Sequence, residues 1–453
     1  MRTKMSNESY FNFAGASSLQ IVDEYREKYE RLSNLLDANP DLVATAHADW
    51  VQWLSTSSKG RDGYTSEQLL RALLVLFLEG RSYRNTVVLI ENSEFLRHFV
   101  RLGIKSSMDY TFLNRAFSSL SAATMEKMNA ALTGYAISEE MISSEKQRMD
   151  TTAYETNIHY PTDSSLLWDS FRTLSRLVST IKSELPQLDL QHRFHDGKVK
   201  KLGIFIARNA SSKRKNTQRE VKRRYATLID RVRWIHGVGQ QVLKKAFAAG
   251  CTVVELSHYL PLVARIVDQA HRRIIQGEKV PADEKLYSLF EEHTELIIRG
   301  KAGKPIEFGH KILLAQTGEK YIHHYSVMKK QIDDKDLLLA AIEAHKEMFG
   351  EYPHVLSADK GFYESMDQIH SLEKIIPVVS ISKKGRRTQA EYERETTEAF
   401  IDGQRFRAGS EGTLSVLKRA FKLGKCFFKG FKNYAASVGF AVLCHNLVLL
   451  TRL

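Results

Sequence analysis

Cysteine is scarce in this chain. The three residues, Cys251, Cys426 and Cys444, are odd in number and far apart. That excludes a disulfide framework and a zinc-ligand spacing, and points to reduced, cytosolic thiols. An apolar leader is missing too: Met1-Arg2-Thr3-Lys4 runs on into polar residues, so no secretory signal is expected. No hydrophobic run reaches the roughly 20 residues of a membrane span. The longest, near 435–450, contains His445 and Asn446 and reads as a buried terminal helix. Nor is there a phosphate loop. His236-Gly237-Val238-Gly239 has neither a Lys-Ser/Thr ending nor a preceding strand, and reads as a helix break.

Acidic residues are outnumbered. The formal net charge is +13 and the pI about 9.4, which predicts a polyanionic partner, nucleic acid first and anionic membrane second. At 453 residues and 43% hydrophobic, the chain is long enough for about three domains with a sizeable core.

The N-terminal part is helical. A helix is expected from about Ser18 to Leu36, then a looser segment to Lys59-Gly60. Thr65-Ser66-Glu67-Gln68 is a capping box opening a helix over Leu69–Leu78. Ser82 restarts a helix to about Glu91, and Met108-Asp109-Tyr110-Thr111 leads into another with Phe112, Leu113 and Phe117. Short helices with tight turns fit a helix-turn-helix reader. Arg71, Arg81, Arg84, Arg97, Arg101, Lys105 and Arg115 would then supply phosphate contacts. A plain bundle with a solvated basic face fits as well.

Between Arg193 and Arg233 stand 14 Lys or Arg and three acidic residues, a net +11. Phe194, Phe205, Tyr225 and Trp234 are interleaved. Such a run could track a nucleic-acid backbone, with Lys213, Arg214, Lys215, Arg223 and Arg224 at its densest points. A long solvated helix face is the plainer alternative. The stretch about 165–296 reads as helical throughout.

From Lys301 the pattern turns to β. Lys304–Leu314 is a strand and Tyr321–Met328 its hairpin partner. Asp334–Met348 is a helix, Val355–Ala358 a strand, a helix follows from about Tyr363, and Ile375–Ile381 is another strand. Residues 148–160 form an earlier strand, followed by a Pro161-Thr162-Asp163-Ser164 turn and a helix to about Ile181. Lys383-Lys384-Gly385-Arg386-Arg387 reads as a basic loop.

Residues 404–424 hold the chemistry together. From Ser410, read as an N-cap, Leu414, Leu417 and Phe421 recur at helical spacing. Glu411 lies about 40° from Arg407 and about 20° from Lys418 around such a helix: a carboxylate between two cations. Asp150 on the early strand, and Asp359 where a strand ends before a Gly, are the acids placed to meet it. Strand C-terminal ends are where open α/β sheets put their sites.

These residues carry a resemblance. Asp150-Thr-Thr-x-x-Glu-x-Asn-Ile-His-Tyr-Pro-Thr-Asp-Ser, then Ala358-Asp359-Lys-Gly, then Arg407-x3-Glu411-x6-Lys418 are similar to the signature of bacterial insertion-sequence transposases with an RNase H-like DDE core, the ISNCY type or a close relative. The similarity covers roughly 145–170 and 300–453, and the N-terminal part loosely. Many relatives have Tyr three residues before the Arg, where this chain has Gln404.

The resemblance implies an α/β fold with large helical parts: an RNase H-like core with a mixed five-stranded sheet, interrupted by a helical insertion. The expected domains are 1–140, helical and DNA-binding; 141–165 with 297–453, catalytic; and 166–296, the basic insertion. Asp150 would bridge two Mg²⁺ ions, with Mn²⁺ able to substitute, while Asp359 and Glu411 would each hold one. Arg407, Lys418 and Lys360 would grip phosphates. The partners would be double-stranded DNA, as terminal repeats and as target, and a second copy in synapsis, with no membrane. The place would be the bacterial cytoplasm at the nucleoid. A DNA-binding protein that has lost catalysis is the alternative. Glu391, Glu393, Glu395 and Glu398 rival Glu411, and Asp163 and Asp169 rival Asp150. Glu155, Asn157, His159 and Tyr160 are candidates to line the site.

Overall fold

The computed structural model describes residues 19–54, 63–298 and 304–453. The leader at 1–18, Lys59-Gly60 and Lys301 lie outside the described residues. Two compact units are present. One joins the described residues up to Glu155 with His310–Leu453, and the other is Thr156–Gly309.

In the first unit, seven helices precede the first strand among the described residues: α1 (Gln20–Ala38), α2 (Pro40–Trp53), α3 (Ser66–Leu78), α4 (Tyr83–Asn92), α5 (Glu94–Val100), α6 (Tyr110–Ser119) and α7 (Ala122–Ser138). Side chains set several starts. The Thr65–Gln68 capping box opens α3, Ser82 caps α4 and Asp109 caps α6. The expected loose segment after α1 is helical instead. Pro40 occupies its first turn, and Leu42, Val43, Ala46 and Trp50 are buried.

α3 is buried from Ser66 through Phe77, so it presents no face to a DNA groove. Arg71, expected at a phosphate, is 1% exposed and bonded to Asp37 (2.7 Å) and Glu67 (3.1 Å). Arg101 pairs with the same two carboxylates, and Arg97 with Glu91 at 2.8 Å.

The sheet is mixed, with seven strands rather than five. They are β1 (Lys146–Thr156), β2 (Glu295–Ile298), β3 (Ile306–Gln316), β4 (Ile322–Val327), β5 (Val355–Ala358), β6 (Val378–Ile381) and β7 (Lys425–Cys426). The order is β2-β3-β1-β5-β6, with β4 on β3 and β7 on β1. β3 and β4 are antiparallel, while β5 is parallel to both β1 and β6. β2 comes from a stretch expected to close a helix. Its Leu296-Ile297-Ile298 run favours the pleat.

Among the described residues five α-helices complete this unit: α12 (Asp334–Phe349), α13 (Met366–Glu373), α14 (Gln389–Glu395), α15 (Glu398–Ala420) and, last, α16 (Gly430–Leu450). By length and composition α16 could cross a membrane, but 89% of its apolar window is buried inside the protein. Phe440 and Leu443 share one core with Trp50, Leu73 and Phe117.

α15 begins at a Thr397 cap, so Ser410 lies within the helix and is no N-cap. Gly403 and Gly409 lower helix propensity and obscured the earlier turns. Close packing explains both. A Cβ on Gly403 would overlap Ser380 on β6, and one on Gly409 would overlap Arg148 on β1.

The second unit has its own core, built from α8 (Asp163–Glu184), α9 (Asp196–Asn209), α10 (Lys215–Ala248) and α11 (Val254–Ala270). α10 runs unbroken through Gly237 and Gly239, against the expected break. A Cβ on Gly239 would stand 2.9 Å from Leu260 Cδ2. That glycine lets α10 and α11 approach, which is packing rather than punctuation.

The two kinds of helix glycine separate in a thermal melt. Gly412 on α15 has open space around it, so Gly412→Ala should stabilise by up to about 1 kcal/mol. Gly403→Ala forces overlap with Ser380 and should cost on the order of 1–3 kcal/mol. Equal Tm values for the two variants would contradict the close approach of α15 to β6.

Candidate active site

The site grows from the register of two parallel strands. Met149 of β1 lies beside Ala358 of β5. One residue on, Asp150 in mid-strand and Asp359 just past the end of β5 come level, at a strand spacing of about 4.8 Å. Alternation then puts Arg148 and Asp150 on one face of β1, and α15 lies against that face. Arg148 Nη1 donates to the Phe406 carbonyl at 2.9 Å. One helical turn on, Ser410 Oγ donates to Asp150 Oδ2 at 3.1 Å. Strand and helix therefore run side by side, two strand residues matching one turn.

Asp150 is half-buried. Burial pushes its carboxyl above the ordinary aspartate range, and the neighbouring Asp359 charge adds to the push. Three groups oppose this: the Ser410 hydroxyl, the Thr151 amide, which donates to Oδ1 at 2.7 Å, and the Arg407 charge. Burial outweighs them. Arg148 is 3% exposed. Its Nε and Nη2 donate to Gln316 Oε1 at 3.2 and 3.0 Å, and it lies over the Phe406 ring at 4.8 Å. Burial lowers its pKa. Among the described residues no carboxylate pairs with it.

Glu411 follows Ser410 on α15 and is exposed. Arg407, one turn earlier, is half-buried, and its Nε is buried without a hydrogen-bond partner. Among the described residues no three His, Cys, Asp or Glu side chains form an ion-binding group. The structure thus brings Asp150 and Asp359 together, and leaves Glu411 on the adjoining helix, outside a three-residue set. Lys360 is exposed in the turn directly after Asp359, and Lys418 is half-buried near the end of α15. The 383–387 loop leaves β6 at the same sheet end, since Ala358 pairs with Ile381.

The rival acids have other partners. Glu391, 2% exposed, accepts from Tyr363 Oη and Lys383 Nζ, both at 2.8 Å, and completes the Thr388 capping box. These bonds hold its carboxyl down, to about 2. Glu395 pairs with Arg387 at 2.6 Å. Glu393 accepts from Gln389 at 2.8 Å, and Glu398 lies in the first turn of α15.

In the second unit, Asp163 pairs with Arg273 at 2.8 Å, and Asp169 with Arg172 at 3.1 Å and His159 at 3.5 Å. Tyr160 packs edge-on to Phe308. The Glu155 amide bonds to the Gly424 carbonyl at 3.4 Å, and Asn157 is exposed. Lys213, Arg214 and Lys215 are exposed where α10 starts, whereas Arg223 and Arg224 both pair with Glu220 at 2.6 Å.

Sequence reasoning missed Asp334. Its Oδ1 accepts from Lys311 Nζ at 2.8 Å and from Thr151 Oγ1 at 3.2 Å. A Cβ on Gly361 would lie 2.7 Å from its Oδ2. It therefore touches the residues that flank both Asp150 and Asp359. As an acid in the first turn of α12, it looks like an ordinary dipole-compensating residue. Arg148 was legible in principle, being two residues before Asp150 on a strand.

No protein-family model, curated protein or solved structure matches this chain.

The raised Asp150 carboxyl fixes a sign. Between the ordinary aspartate value and the raised one, the folded chain keeps a proton that the unfolded chain has lost, so stability falls as pH rises through that window. Asp150→Asn should then raise Tm by a few degrees at pH 7, with the gain vanishing at acid pH below the ordinary aspartate range. Equal Tm values at pH 7 would contradict the burial argument.

Proposed function

We propose that this chain is a metal-dependent DNA transposase that cuts DNA at the ends of an insertion sequence and joins them to a target. The observation that carries the reading is the level pair Asp150 and Asp359 on adjacent parallel strands, with α15 bringing Ser410, Arg407 and Glu411 alongside. The strand order β4-β3-β1-β5-β6, with its helix after the last strand, supports an RNase H-like core.

The donor set suits the implied ions. Two carboxylates held level, one pushed up by burial and by its neighbour's charge, favour a hard divalent cation that takes oxygen ligands. Asp150 and Asp359 would hold Mg²⁺, or Mn²⁺ in its place, and Glu411 is the third ligand in this reading. Bound there, the ions would supply Lewis acidity at the attacking and leaving oxygens of a phosphodiester.

The chain's own groups do the rest. Ser410 and the Thr151 amide orient Asp150 and favour its charged form against the burial that opposes it. Arg407 carries a buried, unpartnered Nε and, with Lys360 and Lys418, would grip phosphates. Water would cut at the element's end, and the freed 3′-hydroxyl would attack target DNA. Joining two ends implies a homodimer, at the bacterial nucleoid.

One observation favours a second reading, a DNA-binding protein descended from a transposase without activity: Glu411 does not complete a three-carboxylate group.

Cleavage of labelled DNA bearing the element's terminal repeats separates the two. Wild type should nick with Mg²⁺ and not with chelator. Asp150→Asn, Asp359→Asn and Glu411→Gln should each lower the rate by at least about a hundredfold, while Glu393→Gln should cut normally. End binding without cleavage by folded wild type would leave the second reading standing.

A further inference from the structure

A recess of about 380 Å³ opens among the end of α2, one face of α6 and the start of α16, all within the first unit. Its lining combines two ring systems, Trp53 and Phe112, with two cations, Arg115 and Lys432, and with Leu54, Ser118 and Ser119.

This combination is not what a core or a plain solvated face requires. Trp53 is 61% exposed, although a large aromatic is normally well buried. Each cation already stands by a ring. Lys432 Nζ lies 5.7 Å from the Trp53 centroid, and the Arg115 guanidinium 5.7 Å from that of Phe112. Lys432 is held in place, donating to the Ser118 and Ser119 carbonyls at 3.1 and 3.4 Å. An ammonium group has three donors, so one N–H remains. Two acids lie near in the chain: Asp109 at the α6 cap, whose carboxyl is held down mainly by its bonds to Thr111 and only weakly by Arg115, and Asp49, which is taken up by the Ser121 amide at 2.9 Å and the Thr124 hydroxyl. Exposed Lys425, Phe427 and Lys429 precede α16, extending the same basic and aromatic character.

We infer that this recess takes one unstacked nucleotide of a nucleic-acid strand, its base against Trp53 and Phe112 and its phosphate on Arg115 and Lys432. Rings give stacking that any base can use, and cations beside them neutralise the backbone. An apolar partner would bury both cations without a counter-charge, which is costly. A free phosphate would leave the rings unused. The inference rests on the nucleic-acid partner of the reading above, but not on its carboxylates.

The test is binding by the full chain, with chelator present so that no strand is cut. A labelled short oligothymidylate is titrated against wild type, Trp53→Ala, Trp53→Phe and Arg115→Ala. An abasic strand of equal length and inorganic phosphate serve as competitors. Trp53→Ala and Arg115→Ala should each weaken binding about tenfold. Trp53→Phe should keep most of the affinity, and the abasic strand should bind wild type about as weakly as oligothymidylate binds Trp53→Ala. Unchanged affinity in both alanine variants, or equal binding of the abasic strand, overturns the proposal. So does displacement by inorganic phosphate alone at concentrations matching the strand. Because nothing is cut, failure here leaves the cleavage test intact, and a failed cleavage test leaves this one intact.

Discussion

A buried guanidinium sets the geometry of the face that carries Asp150. Taking Arg148 out of water costs several kcal/mol, and among the described residues no carboxylate repays it. Its three hydrogen bonds, to Gln316 twice and to the Phe406 carbonyl, contribute about 1.5–3 kcal/mol each where a charge is involved. Those bonds hold only if α15 lies at one height and one rotation against β1. Gly409 is what allows it, since a Cβ there would occupy the space of the guanidinium. With that contact made, Ser410 must fall on Asp150 one turn later, and Arg407 and Glu411 flank it on the helix.

The same packing places stress on the site. Asp150 is pushed toward its neutral form by burial, while its partners favour the charged one. Asp334 adds a further carboxylate close by, balanced by Lys311. The cluster is acidic at its centre, with Lys360, Arg407 and the 383–387 loop around it. That distribution favours a cation in the middle and a polyanion on top. The chain's large positive excess stands mostly between Arg193 and Arg233 of the second unit, with Lys213, Arg214 and Lys215 exposed at the turn into α10.

Much of the fold was legible where local rules and tertiary packing agree. The capping box at Thr65, the caps at Ser82 and Asp109, the β3–β4 hairpin and the buried terminal helix follow from side chains that act within a few residues. Three failures share a physical origin, close packing between distant elements. Gly239 was read as a break because nothing local shows that Leu260 lies against it. Ser410 was read as a cap because Gly403 and Gly409 disguise the start of α15. Arg71 was read as a surface cation because its partner Asp37 comes from α1 and the packing that buries it is not local, although Glu67 lies one turn back on its own helix. Asp150, Asp359 and Glu411 were singled out by pattern, and of these the structure sets the two aspartates level on adjacent strands while Glu411 stays exposed on α15. Arg148 is legible only through its strand spacing from Asp150, and Asp334, an acid in the first turn of α12, gives no comparable local signal.

The most direct test of the account is where a redox-active ion cuts the protein itself. Fe²⁺ would be substituted for Mg²⁺ in the folded chain, with ascorbate and peroxide, and the backbone breaks mapped by mass spectrometry. The account predicts breaks around both Asp150 and Asp359, extending to α15 near Glu411, and suppressed by excess Mg²⁺ or by Asp150→Asn. Breaks confined to other regions, or breaks at these strands that persist in Asp150→Asn, would contradict a cation held between the two aspartates.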